Sequence, residues 1–165
     1  MPGEIAAITG GYLYAVVVGH FLTGLIVNQA WKRFLGAGDE AISEVRGDVL
    51  FGQVAGVLER ALYTASWQVG QPEFIVFWLG IKVAVQWRAW TEPMQAGGRE
   101  IHPRITYTIF LIGSGLDIVH GTIGAFIIRG FLQGDWRFAF VLPGAVIAAC
   151  LLLFVWIRFT PVPKS

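Results

Sequence analysis

Twenty-four consecutive residues, Ile8 to Trp31, contain no Asp, Glu, Lys or Arg. About 20 apolar residues cross the hydrocarbon core of a bilayer as one helix, so this run alone sets the class of fold. Similar runs recur along the chain, at residues 48–70, 73–90, 105–128 and 138–157. Only 14% of the 165 residues are charged, against about 25% in a soluble domain. There is too little polar cover for a water-facing surface. The sequence predicts an all-α, polytopic transmembrane bundle of about five spans, forming a single integral membrane domain over residues 1–165.

A cleaved signal peptide is the competing reading of the first run. The flank before it holds Glu4 and no Lys or Arg, and the run is too long for such a peptide. We therefore expect no signal peptide. The connections are polar: residues 34–47 and 91–104 each hold four charged residues, while Gly70-Gln71-Pro72-Glu73 joins the second and third spans. Four residues suffice only for antiparallel neighbours. Span five is apolar on all sides, so it faces lipid or a neighbouring subunit, with Pro143 near one end. Loop charge sets the orientation. Lys32, Arg33, Arg46, Arg88, Arg99, Arg104, Arg158 and Lys164 fall on one side, and Arg129 and Arg137 on the other. Eight against two places the C-terminus in the cytoplasm and the N-terminus outside, in a membrane of the bacterial inner type.

The hairpin from Gly47 to Trp90 carries ionisable groups in the middle of both its spans. Glu59 and Arg60 lie half-way along one, Lys82 half-way along the other. Charges at bilayer depth are costly and rare, and by default they mark a functional site. The other spans supply partners at a similar level, since each helix advances about 1.5 Å per residue. His20 is near the centre of span one and Asp117 near the centre of span four, with His120 one turn further. Two negative and two positive groups make the neutral, mutually paired set that a low-dielectric site requires. Glu59 and Arg60 point about 100° apart on a helix. One is expected to pair with Lys82 across the hairpin and the other with Asp117.

Spacing assigns the faces. Gly113, Asp117, Gly121 and Gly124 share a stripe on span four, Gly52, Gly56 and Arg60 one on span two. His20, Gly24 and Asn28 repeat the pattern on span one, and Trp78, Lys82 and Gln86 on span three. Small residues let helices approach closely. The expectation is a four-helix core with a polar centre and span five outside it.

Several chemistries can be set against this pattern. The leading reading is transport or binding of a proton, ion or small polar ligand at Glu59, Arg60, Lys82, Asp117, His20 and His120. The alternative is an accessory or assembly subunit of a larger membrane complex, its charges fixing helix register and neighbour choice. Asp117 and His120 have the i, i+3 spacing of bundle metal sites, but only one copy exists. His20 and His120 are candidate axial ligands for a haem between spans one and four, with glycines beside them to leave room. No cofactor is expected beyond that option. An enzyme is the weakest fit: Lys82 is a potential base, yet Ser66 and Ser114 sit in no nucleophile context. Cys150 is the one cysteine, which excludes an internal disulfide. A net charge of +1 gives no case for nucleic acid. Expected partners are membrane lipids and either further copies of the chain or other membrane subunits.

Overall fold

A computed structural model describes residues 2–35, 49–96 and 99–160. The described residues are helical apart from one short ribbon and the turns that join the elements. The first helix is α1, Pro2–Leu13, which continues through a π turn, Tyr14–Val18, into α2, Gly19–Leu35. Next come α3, Val49–Gln68, and α4, Glu73–Thr91. Two three-residue strands, β1 (Met94–Ala96) and β2 (Arg99–Ile101), pair antiparallel with Met94 opposite Ile101. That ribbon occupies the segment expected from sequence to be a polar loop. The longest α-helix, α5, is Pro103–Gln133; a second π turn, Arg137–Val141, then leads into α6, Leu142–Phe159.

Among the described residues, three helices are long and apolar enough to cross a membrane: Pro2–Phe34, Pro103–Gln133 and Arg137–Phe159. The helices α3 and α4 fall outside that set. They have 20 and 19 residues and carry Glu59, Arg60 and Lys82 with further polar residues, which lowers their hydropathy.

Local chemistry explains the ends. The first helix of the hairpin stops in a Schellman motif, with Gly70 at φ 71°. Gln71 N–H donates to Ser66 O at 2.8 Å and Gly70 N–H to Trp67 O at 3.3 Å, satisfying carbonyls that the helix end would orphan. Pro72 and Glu73 then open α4. At the start of α5, His102 Nδ1 accepts from Arg104 N–H at 3.2 Å and Pro103 fills the first turn, where its missing N–H costs nothing. Gly134, at φ 68°, ends the helix. Pro143 follows the second π turn directly. In a regular helix its ring would clash with the carbonyl four residues back, and the wider turn relieves that crowding.

The axis of the bundle is α5, and not the charged hairpin. Its buried face runs from Ile109 through Ser114, Asp117, His120, Gly121, Gly124 and Ile128. A methyl on Gly124 would lie 2.8 Å from Gly11 O and 3.0 Å from Thr64 Oγ1; one on Gly121 would lie 2.6 Å from Tyr63 Cβ. So α1 and α3 both press backbone-close against α5, as the stripe of small residues predicts. Contacts along α3 and α5 advance together (Gly56 beside Asp117, Thr64 bonded to Gly121, Gln68 to Ala125), so these helices run parallel. Along α1 and α2 they run the other way, Gly11 meeting Ile128 and a Gly113 methyl coming 3.6 Å from Val27. The last helix packs on α2 through Leu22, Ile26, Cys150 and Ile157, and Arg33 Nη1 donates to Ile157 O at 2.6 Å. The outer surface is apolar, with Val76, Phe77, Val85, Leu152 and Phe159 exposed.

Candidate functional site

The charged level is divided into two pairs by the turn of a single helix. Adjacent residues on α3 point about 100° apart, so Glu59 and Arg60 reach different neighbours. Arg60 Nη1 donates to Asp117 Oδ1 on α5. Lys82 Nζ, from α4, donates to Glu59 Oε2 at 2.6 Å and to Ser114 Oγ at 3.1 Å. Ser114 lies one turn before Asp117, so α5 serves both pairs. The Lys82 ammonium also sits 5.0 Å from the centre of the Phe110 ring, where its charge is attracted to the π face.

The two pairs differ in cover. The Arg60 and Asp117 side chains are 2% and 8% exposed, those of Lys82 and Glu59 17% and 4%. Burial removes hydration from each ion, and a partner with good geometry restores part of that loss. Gly56 leaves room beside the pair. A Cβ there would be 3.3 Å from Arg60 Nη1 and 3.4 Å from Asp117 Oδ2. One turn above, Thr64 Oγ1 lies 2.9 Å from the carbonyl oxygens of both Arg60 and Gly121, sharing its single proton between the two helices.

The histidines have separate surroundings. His20 Nδ1 is 3.4 Å from Arg60 Nη2, so His20 lies at the edge of the Arg60–Asp117 pair. His120 is fully buried: its ring packs on Tyr14, 5.8 Å between centroids, and its Nε2 lies 3.9 Å from Cys150 Sγ. The glycines next to the histidines are used for helix contact. Methyls on Gly121 and Gly19 would meet Tyr63 Cβ and His120 Cβ at 2.6 and 2.8 Å. Asp117 and His120, although one turn apart, turn to different partners. Among the described residues no three His, Cys, Asp or Glu side chains converge as a metal would need.

On α2 the face is offset from the sequence pattern. His20, Gly24 and Asn28 do not form the contact stripe: a Gly24 methyl would meet nothing within 4 Å, and the buried residues of α2 are Gly19, Leu22, Thr23, Ile26, Ala30 and Trp31, with Gly19 against His120. A π turn leads into this helix. Five residues of regular helix turn Tyr14 and Gly19 about 140° apart, but here the Gly19 N–H reaches back to Tyr14 O, and both residues meet His120. Spacing cannot reveal an inserted residue, and π turns of this kind are frequent at functional sites. On α3, a methyl on Gly52 likewise would meet nothing within 4 Å, while Gly56 and Arg60 of the stripe face Asp117. The side chain of Gln86 lies outside the described residues.

Sequence spacing also missed Tyr63, Ser114 and Cys150. Ser114 was legible as the residue one turn from Asp117 on the small-residue stripe. Nothing in the sequence brought Cys150 to His120, since span five was expected to stand outside the polar centre. Lys82 beside Ser114 does not make a nucleophile: an ammonium committed as donor to Glu59 and Ser114 is no base for the hydroxyl. No protein-family model, curated protein or solved structure matches the chain.

Proposed function

We propose that the chain is a five-span integral membrane protein of the bacterial inner-membrane type, N-terminus outside, that binds or passes a proton, ion or small polar ligand at its charged level. The carrying observation is the doubled ion pair, Arg60–Asp117 and Glu59–Lys82–Ser114, built around one helix. Helix direction supports the five-span reading: α3 runs with α5 and against α1 and α2, which is what alternate crossings require. The abundance of exposed apolar side chains fits contact with lipid acyl chains.

A register device needs only one pair. Here two pairs of different burial sit side by side, and the less buried one joins the helix with least cover. That arrangement allows the pairs to open in turn, and a ligand that competes for Asp117 or Glu59 would drive the opening. The test is flux or binding in reconstituted vesicles. Exchanging the ions, as Arg60→Asp with Asp117→Arg, preserves a pair but reverses the field, and should abolish flux while the protein still elutes as wild type. Wild-type flux in that double variant would refute the site.

A second reading, an accessory subunit of a larger membrane complex, has its own support. Each charge has an opposite charge beside it within the chain, and α6 leaves Leu151, Leu152, Val155 and Trp156 exposed along its length. Its signature is co-purification with stoichiometric partner subunits, lost in Leu152→Asn and with no flux by the isolated protein.

A further inference from the structure

Around the Arg60–Asp117 pair the structure leaves four buried polar atoms without a protein partner: Arg60 Nε, Tyr63 Oη, His120 Nδ1 and Tyr14 Oη. The residues that carry them are 1%, 0%, 0% and 8% exposed. They belong to three helices that pack on one another. The Tyr14 and His120 rings lie 5.8 Å apart, a methyl on Gly19 would touch both His120 Cγ at 3.0 Å and Arg60 Cδ at 2.9 Å, and Gly121 brings Tyr63 against α5 next to His120. Buried polar atoms in folded proteins are hydrogen-bonded to protein or to ordered water, because an unpaired one loses its hydration for nothing. Thr23 Oγ1, Asn28 Oδ1, Trp78 Nε1 and Thr106 Oγ1 are also unpaired, but the four around the ion pair sit on side chains that neighbour one another. Their chemistry is also complementary. Arg60 Nε–H can only donate, a neutral imidazole Nδ1 accepts when the other nitrogen holds the proton, and phenol hydroxyls do both. Internal waters make two to four hydrogen bonds each, which is what this set offers.

We infer that the charged level binds a cluster of internal waters between Tyr14, Arg60, Tyr63 and His120, and that the species it passes is the proton. This rests on the functional reading above and narrows its ligand class. The waters continue the polar layer from Arg60 towards the N-terminal side of α1. Tyr14 precedes His20 by six residues, about 9 Å along a helix. Along such a chain each water accepts one proton and releases one to the next, so one proton enters, one leaves, and no group is consumed.

The test uses the full chain in lipid vesicles. Water-edited solid-state NMR on protein labelled with 15N-His and 15N-Arg should transfer magnetisation from water to His120 Nδ1 and Arg60 Nε, with His120→Phe and Arg60→Lys assigning the signals. Proton uptake into dye-loaded vesicles, driven by a potassium diffusion potential, should fall on the order of tenfold in Tyr14→Phe and in Tyr63→Phe, as expected for losing one bridging hydrogen bond. These variants delete a single oxygen each, and an unchanged elution profile shows that they still fold. Proton flux that is lost in Asp117→Asn yet unaffected in the Tyr14→Phe, Tyr63→Phe double variant overturns the water path but leaves the site standing. No water contact at His120 and Arg60 overturns it too. Flux of another ion without protons removes the proton assignment alone. A wild-type protein that binds and passes nothing removes both readings.

Discussion

Glu59 and Arg60 are neighbours in sequence and opposites in setting. Arg60 turns into the seam between α3 and α5, where Gly56 and Gly121 bring backbones together and Asp117 is its partner. Glu59 turns towards α4, whose Lys82 reaches in from the rim of the bundle. The first pair is sealed by packing, whereas the second is held at one edge by a helix with Val76, Phe77, Ile81 and Val85 exposed. Hydrogen-bond geometry alone would rate the pairs as equals. Environment separates them, because the loss on breaking a pair depends on whether the abandoned ion can find water, a proton or a new partner. The inner pair is therefore part of what holds the bundle together, and the outer pair is a latch on α4.

The largest effect should follow from cutting the inner pair on one side. Asp117→Ala leaves the Arg60 guanidinium buried with His20 as its one remaining side-chain neighbour among the described contacts. That should cost about 3–5 kcal/mol, read as a fall in the unfolding midpoint in a mixed-micelle denaturation series. Arg60→Met together with Asp117→Leu removes both charges and should recover most of the loss. If the double variant is as unstable as the single one, the pair is not the reason.

Cutting the latch should be milder and local. Lys82→Met leaves the Glu59 carboxylate, its side chain 4% exposed, without the ammonium; taking up a proton can neutralise it, so we expect about 1–3 kcal/mol. The distinguishing readout is hydrogen exchange. Amides of α4 should exchange faster while those of α5 keep their protection, because a helix with few buried contacts opens on its own. Uniformly faster exchange across the chain would erase the distinction between core and latch.

How much of this was legible in the sequence follows from the same contrast. Run length and loop charge describe single helices, and they located the helical segments to within a few residues. The partition of Glu59 and Arg60 between two partners was also accessible, since 100° per residue forbids both from facing one neighbour. Which helix forms the axis was not accessible. The hairpin holds three of the four charges at mid-span, but α5 holds the small residues that touch α1 and α3, and it is packing that sets the axis. The contact face of α2 escaped because spacing groups His20, Gly24 and Asn28 on one side but does not say whether that side meets another helix; in the structure a Gly24 methyl meets nothing within 4 Å. The approach of Cys150 to His120 depends on how α6 lies across α2, a tertiary fact without a local signal.

The smallest effects concern two glycines that sequence treats alike. Gly52 and Gly121 each sit in a four-residue ladder of small or polar residues, on α3 and α5. A methyl on Gly52 would meet nothing within 4 Å, whereas one on Gly121 would lie 2.6 Å from Tyr63 Cβ and 3.0 Å from Arg60 O. Gly121→Ala must push α3 away from α5, and a shift of a few tenths of an ångström there moves Arg60 relative to Asp117. Overpacking of this kind costs about 1–3 kcal/mol, and the strain should appear as loss of flux before loss of fold. Gly52→Ala adds a better helix former where there is space, and should stabilise by up to about 1 kcal/mol with flux unchanged. The same denaturation series measures both. Equal and opposite shifts are not expected; a destabilising Gly52→Ala would mean that α3 meets a partner helix, from another copy or another subunit, along its Gly52 face, and would move the balance towards the accessory-subunit reading.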